Sequence, residues 1–456
     1  MLICVGQGGS ATTFAAAAKS VKPNVVLIMA DDMGYECLSC YGSDSYKTPN
    51  LDRLAAEGVR FANCHSQPLC TPSRVKIMTG KYNFRNYEEF GYLNPFERTF
   101  GHLLQQAGYR TCIAGKWQLN GLTYDLPGNQ DATRPRKAGF HESCLWQLTK
   151  LRKVGERYAD ALIETDRQPA SRRTDAYGPQ VFTDFVCDFM ERNQARPFFV
   201  YYPMVLTHDP FVPTPDSPEW QQDRHRRDNK FFAEMVAYTD KIVGQLDAKL
   251  AELGLRENTL LLFTGDNGTH RRIVSAMQDG RLLQGGKGKT TDAGTHVPLI
   301  ASWPGTTPRG TVSTDLIDFT DFYATLAELA DVPRQLEGTD GRSFLPQIRG
   351  EAGNPRDHLF CHYDPRWGSG RLKPARFARD HVYKLYHDGR LYNVQDDPLE
   401  TNPLPNGSGT SAAAQEGRKS LQQVLDAMPP WKTSPRRPAS PAAAALHLPT
   451  SKKPSQ

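Results

Sequence analysis

Five largely apolar runs constrain this chain more than any other feature. They are residues 24–29 (NVVLIM), 109–114, 197–204 (PFFVYYPM), 259–263 (TLLLF) and 297–303 (VPLIASW). A strand with one face in water alternates apolar and polar residues. A run without alternation belongs to a sheet covered on both faces. Helical stretches lie between the runs. Residues 49–57 open with Pro49 and stop at Gly58, residues 97–107 stop at Gly108, and residues 231–253 are long and amphipathic. Strands alternating with helices predict an α/β fold around a large, mostly parallel sheet.

In such sheets, ligands bind beyond the carboxyl ends of the strands. Four of the five runs place ionisable or amide side chains just past that end: Asp31 and Asp32, Lys116, His208, and Asp266 with Asn267. One such placement is chance; four predict a single site. The formal charge of +5 does not point to nucleic acid. Lys432, Arg436, Arg437, Lys452 and Lys453 account for all of it in a tail without acids, so the remainder is balanced and anion recognition must be local.

The pattern changes after about residue 345. Residues 357–363, 376–386 and 390–394 read as short strands, with Asp388-Gly389 as a hairpin turn. They predict a small C-terminal antiparallel subdomain, followed by a linker at 402–411 and a closing helix at 415–428. The expected organisation is a leader or truncated signal-like segment at 1–20, a main domain at 21–345, the subdomain and closing helix at 346–430, and a disordered basic Pro/Ala-rich tail at 431–456. No stretch reaches the ~18 consecutive apolar residues of a membrane span. Nine cysteines leave at least one unpaired, and Cys37-x-x-Cys40 reads as two incidental buried thiols.

Cys70-Thr71-Pro72-Ser73-Arg74 reads as a helix start. Thr71 is the expected cap and Pro72 the first helical residue, with Gly80 as the stop. Cys70 would sit where the helix dipole favours negative charge, with Arg74 one turn on. On residue chemistry alone this is a reactive thiol, an anion site or a buried structural cysteine.

C-T-P-S-R resembles the signature of the formylglycine-dependent sulfatases, in which the Cys is oxidised to formylglycine. The resemblance extends from residue 22 to 404. N-V-V-L-I-M-A-D-D-M-G-Y and T-P-N-L-D-R-L-A-A-E-G-V-R-F are similar to the family's opening strand and next helix. G-K-W, T-G-D-N-G, G-K-G-K-T-T-D-A-G-T-H-V-P, D-G-R-S-F and L-Y-N-V-Q-D-D-P-L-E-T-N follow in family order. The resemblance implies an alkaline-phosphatase-like α/β sandwich with a small C-terminal antiparallel subdomain.

It also implies roles. Asp31, Asp32, Asp266, Asn267 and formylglycine from Cys70 would hold one divalent cation; an oxygen-only set suits a hard ion, and the resemblance implies calcium, the family's usual one. Arg74, Lys116 and Lys287 would grip the sulfate group. In the implied mechanism the aldehyde is hydrated, and one hydroxyl, steered by Asp266, attacks sulfur. His208 protonates the leaving alcohol, and elimination of sulfate restores the aldehyde. Counting back from Pro298 selects Lys287 over Lys289. One departure stands out: the family's His two residues after the G-K-W lysine is here Gln118, which cannot take a proton at neutral pH. Asp266 and the histidines His65 and His141 are the candidate substitutes.

The expected activity is hydrolysis of a sulfate monoester of a carbohydrate. The alternatives are a phosphonate or phosphate ester hydrolase of the same superfold and a weakly active sulfated-glycan binder. Residues 122–177 and 214–229, with Trp146, Trp220, Arg224, His225 and Arg226, are expected to shape the leaving-group pocket. Expected partners are the sulfated substrate and a formylglycine-generating maturation enzyme. The expected location is periplasmic or secreted, otherwise cytoplasmic.

Overall fold

A computed structural model describes residues 22–150, 157–166, 168–332, 336–367, 372–407 and 409–433. The expected leader and all but the first residues of the expected tail lie outside them. Among the described residues the strands are β1 Asn24–Ala30, β2 Val59–His65, β3 Arg110–Lys116, β4 Glu142–Trp146, β5 Leu162–Thr165, β6 Gln168–Arg172, β7 Phe198–Pro203, β8 Thr259–Gly265, β9 Val274–Ala276, β10 Leu282–Gln284, β11 His296–Val297, β12 Leu299–Ser302, β13 Thr311–Asp318, β14 Leu359–Tyr363, β15 Ala375–Arg379, β16 Tyr383–Tyr386 and β17 Leu391–Asn393.

The heart of the large sheet is β8-β1-β7-β3-β4, all parallel. Antiparallel pairs flank it, β12 on β8 at one side and β5 on β4 at the other. The absence of alternation in β1 has a direct cause. Val26, Ile28 and Ala30 pack into one layer with helices Gly178–Arg192 and Phe231–Glu252. Val25, Leu27 and Met29 pack into the other with helices Cys70–Thr79, Phe100–Gln106 and Asp321–Leu329. Both faces are covered, so both sets must be apolar.

Two expectations about elements need correcting. The fifth apolar run is not one strand parallel to the others. It breaks at Pro298 into β11 and β12, which run antiparallel to their neighbours. Its end therefore faces the opposite rim, which explains why it alone carries no ionisable residue there. The run 376–386 is not one strand either. It folds back at Asp380, whose carboxylate accepts the Val382 and Tyr383 N–H groups at 2.7 and 2.6 Å, an Asx-type turn. The helix expected from 97 starts at Phe100, because the Thr99 hydroxyl accepts the Gly101 N–H as its cap.

The smaller sheet, β14-β15-β16-β17, is wholly antiparallel. Asp388-Gly389 makes the last hairpin, with Gly389 at φ +87°. Helix Ala412–Asp426 closes it, capped by Ser411 and packing Leu421 and Leu425 onto Phe360, Leu385 and Leu391. Two buried ionic contacts tie this sheet to the large one. Arg356 bonds Asp321, with Nε to Oδ2 at 2.8 Å. Arg379 donates to both Asp292 oxygens at 2.7 and 2.8 Å and lies 3.3 Å from His65 Nε2. His65 stacks on His296 at 4.8 Å between centroids. Burial pushes both imidazoles down, His65 well below its ordinary value with Arg379 adding to it, and His296 to about 4.

Arg356→Met leaves Asp321 charged and unmatched in the interior. It should lower stability by about 3–5 kcal/mol in denaturant unfolding, and Asp321→Asn in the same chain should recover part of the loss. The histidine pair gives a pH signature. Unfolded imidazoles bind protons below about pH 6.5, while the folded ones resist until lower pH. Stability is therefore full above that value and is lost as pH falls toward the folded pKa. Tm should drop across this window, and His65→Gln with His296→Gln should flatten the slope.

Candidate active site

Four neighbouring parallel strands, β8, β1, β7 and β3, deliver the cluster. Ala30 pairs with Gly265, so Asp31 and Asp266 leave adjacent strands side by side, about 4.8 Å apart in the sheet direction. Lys116 is the last residue of β3, one strand further over. His208 follows β7 by five residues. Asp32 takes a left-handed backbone, φ +59°, a conformation Asp tolerates. Its N–H donates to Asp266 Oδ1 at 3.0 Å.

Cys70 opens the buried helix Cys70–Thr79. Leu69 holds the cap position and no side chain caps the helix, so the expected role of Thr71 is not realised. The Thr71 hydroxyl instead accepts the Gly91 N–H at 3.1 Å, and Pro72 is the third helical residue, not the first. Gly80 ends the helix at φ +68° as expected. Among the charged groups acting on the Cys70 thiol are Lys116, Asp266, Asp31 and Lys287, yet burial dominates and pushes it up. A resting thiolate is therefore disfavoured.

Each carboxylate is matched. Asp31 accepts from Lys116 Nζ at 2.9 and 3.0 Å and from an Arg157 N–H at 3.2 Å. Burial alone would raise its pKa; Lys116 and the neighbouring cations outweigh that and hold it well below the usual range. Asp266 Oδ2 accepts from Arg74 at 2.8 and 3.2 Å. Burial and the charge of Asp31 nonetheless raise Asp266 to about 7. Asp32 Oδ2 accepts from Lys287 Nζ at 2.5 Å, and Oδ1 accepts from Asn267 Nδ2 at 2.9 Å.

Lys287 reaches Asp32 because the glycine-rich segment runs flush against the chain at 293–294. A Cβ on Gly286 would lie 2.4 Å from the Ala293 carbonyl carbon, and one on Gly294 would lie 1.9 Å from the Lys289 carbonyl oxygen. Lys289 itself is exposed and away from the cluster. Lys287 Nζ also lies 2.9 Å from His208 Nε2, and His208 Nδ1 lies 2.7 Å from the Asp209 carbonyl oxygen. A carbonyl only accepts, so Nδ1 carries the proton and Nε2 accepts from Lys287. Burial and Lys287 lower the His208 pKa, which keeps that ring neutral.

The donor set fits a hard divalent cation. Ligand atoms of Asp31, Asp32 and His208 lie within 4.8 Å of one another, and Asp266 and Asn267 are both hydrogen-bonded to Asp32. The decisive atom is Asn267 Oδ1. Its amide nitrogen donates to Asp32 and to the Gly268 carbonyl, leaving Oδ1 buried with no hydrogen-bond partner. An orphaned buried acceptor beside three carboxylates is chemically suited to a cation.

Arg157 is the member that sequence reasoning missed. It is 1% exposed, touches Asp31, and stacks over Trp146 at 4.1 Å. The only signal was the basic density of 150–157, which a solvated loop shares. Of the expected substitutes for the family histidine, Asp266 lies in the cluster and neither histidine joins it. His65 is held by Arg379, and His141 bonds Thr111 at 2.8 Å near the start of β3, the end opposite Lys116. Gln118 has φ +53° and a buried Oε1 with no partner. Trp146 is buried under Arg157 rather than lining an open pocket. Trp220 packs on Tyr177, while Arg224 and His225 bind Asp175 and Asp160.

Comparison with known proteins agrees with this geometry. Residues 23–332 match the family model described as sulfatase, and residues 287–427 match N-sulphoglucosamine sulphohydrolase, C-terminal. Arylsulfatase A of Homo sapiens is 33% identical over 373 residues, 75% of this chain and 70% of that protein. N-acetylgalactosamine-6-sulfatase of Canis lupus familiaris is 32% identical over 399 residues, 78% of this chain and 71% of that protein. A structure solved with its substrate D-glucosamine-2-N,6-O-disulfate superposes with TM-score 0.68, at 21% identity, over 89% of this chain and 97% of that one. The fold is the alkaline-phosphatase-like α/β architecture, and the chain belongs to the sulfatase family as a sulfuric ester hydrolase.

Proposed function

We propose that this chain hydrolyses sulfate monoesters of a carbohydrate, with Cys70 converted to formylglycine and with calcium as its metal. The observation that carries the reading is the convergence of Cys70, Asp31, Asp32, Asp266 and Asn267 with four cations in one buried cluster. The names of the similar proteins, an N-acetylgalactosamine-6-sulfatase and a structure holding a glucosamine disulfate substrate, favour a sugar leaving group. Residues 21–345 form the catalytic domain in this reading, and 346–430 the subdomain that closes it. A maturation enzyme must supply the oxidation of Cys70. A periplasmic or secreted location suits a polysaccharide substrate, and among the described residues no helix is long and apolar enough to cross a membrane.

Formylglycine, once hydrated, supplies a hydroxyl nucleophile that a buried neutral thiol does not. Calcium, held by Asp31, Asp32, Asp266, Asn267 and the modified Cys70, supplies Lewis acidity and positive charge. The chain's own residues do the remainder. Arg74, Lys116 and Lys287 bring positive charge to the sulfuryl oxygens, where it counters the charge developing in the transition state. His208 is neutral, so the leaving-group proton resides on Lys287, and the Lys287–His208 pair acts as one unit. Gln118 can donate and accept hydrogen bonds but cannot accept a proton. The acceptor facing the cluster is His208 Nε2.

Two results test this reading. Protein made alongside a formylglycine-generating enzyme should give a Cys70 peptide lighter by one sulfur-for-oxygen exchange and two hydrogens. It should release inorganic sulfate from aryl and sugar sulfates, and Cys70→Ala should release none; faster release of phosphate than sulfate contradicts the assignment. Asn267→Ala should weaken calcium binding by about tenfold or more in calorimetry. It should also shrink the rise in Tm that calcium gives the chelator-treated protein.

A further inference from the structure

A second charged feature lies beside the catalytic cluster and takes no part in it. A cavity of ≈ 390 Å³ opens between the glycine-rich segment and the smaller sheet, lined by Gly288, Lys289, Thr290 and Thr291 on one side and by Leu372, Lys373, Tyr386, Arg390, Tyr392 and Glu400 on the other, with Arg271 at its edge. Its one acid is already spent: Glu400 binds Lys384 at 2.7 Å and the Tyr386 hydroxyl at 2.5 Å. Arg390 is matched by Asp388 at 2.9 Å. Arg271, Lys289 and Lys373 are exposed, and among the described residues none has an acidic partner. Three uncompensated cations thus ring one concavity.

Two further observations point to a ligand. Tyr386 and Tyr392 are each 3% exposed and set edge to face at 5.9 Å, and Arg390 lies over them at 4.7 and 6.0 Å from the ring centroids, so this wall of the cavity is rigid and presents a cation held in place. The cavity also begins one residue after Lys287, whose Nζ is in the cluster. Two peptide steps put the Lys289 Cα at most about 7 Å from that of Lys287.

We propose that this cavity is a subsite for a second anionic group, a sulfate or carboxylate, on the sugar adjoining the one whose ester is cleaved. The proposal rests on the carbohydrate sulfatase reading and adds its substrate class: a polyanionic oligosaccharide in place of an isolated sulfated sugar. Strong anion binding away from the scissile group would spend remote contacts on positioning the substrate.

The test uses Lys289→Ala/Lys373→Ala and the conservative Lys289→Gln/Lys373→Gln, both at exposed positions outside the catalytic cluster, with Tm as a check on folding. Substrates are a monosulfated aryl ester and sulfated disaccharides bearing no second anion, a second sulfate or a uronate carboxylate. Either double variant should raise KM for a disaccharide with a second anion by about tenfold, the size two partly screened charge contacts supply. kcat/KM for the aryl ester and KM for the singly charged disaccharide should stay unchanged. The anion suffering the larger loss names the source. A KM unchanged for all disaccharides, or an equal loss on the aryl ester, overturns the subsite. In parallel, calorimetry of the same disaccharides with Cys70→Ala protein reads binding without turnover. If the parent chain releases sulfate from nothing, the hydrolase reading fails, while loss of calorimetric binding in the lysine variants still upholds the subsite and its persistence rejects it.

Discussion

Three carboxylates buried in one cluster must each be matched by positive charge, and that requirement organises the rest of the molecule. Two like charges about 4 Å apart cost about 4 kcal/mol even at an effective dielectric of 20, and burial adds to the penalty. Lys116 and Arg157 answer Asp31, Arg74 answers Asp266, and Lys287 answers Asp32. Each match depends on a different part of the fold. Lys116 reaches Asp31 because only β7 separates β3 from β1. Arg74 reaches Asp266 because helix Cys70–Thr79 begins at the same rim. Lys287 reaches Asp32 because glycines let its segment press against 293–294.

The sequence made the sheet legible because its central strands are covered on both faces, and double coverage leaves an unbroken apolar run. Direction was not legible. Nothing in 297–303 distinguishes a parallel strand from the antiparallel pair β11 and β12, since direction belongs to the connection and not to the residues. The rim rule placed Asp31, Asp32, Lys116, His208, Asp266 and Asn267 near one another from residue pattern alone. Lys287 needed the family resemblance, because a lysine among glycines looks like any solvated loop charge. Arg157 carried only the basic density of 150–157, which a solvated loop shares, and His65 and His141 were misjudged. A histidine's chemistry is visible in the sequence, but the element it packs against is not: His65 is claimed by Arg379 across the inter-sheet contact, and His141 by Thr111 at the far end of β3.

Arg157 also changes the charge balance. Asp31, Asp32 and Asp266 face Arg74, Lys116, Arg157 and Lys287, so the cluster carries one more cation than carboxylate when all are ionised. Protonation of Asp266, favoured by burial and by Asp31, widens that surplus. Stacking on Trp146 holds the fourth cation in place, and an aromatic face is worth more to a desolvated guanidinium than to one in water. The surplus is thus fixed in position rather than spread over mobile side chains.

The adjoining cavity extends the same sign outward through Arg271, Lys289 and Lys373. A low-dielectric concavity bearing one sign of charge focuses the field and attracts the opposite charge. The chain's overall charge contributes nothing to this, since its surplus of +5 lies in the tail. Anion selectivity in this molecule is consequently a property of two adjacent depressions with a shared peptide segment, 287–289, as their common wall. Any displacement of that segment moves a cation of the buried cluster and a cation of the cavity together.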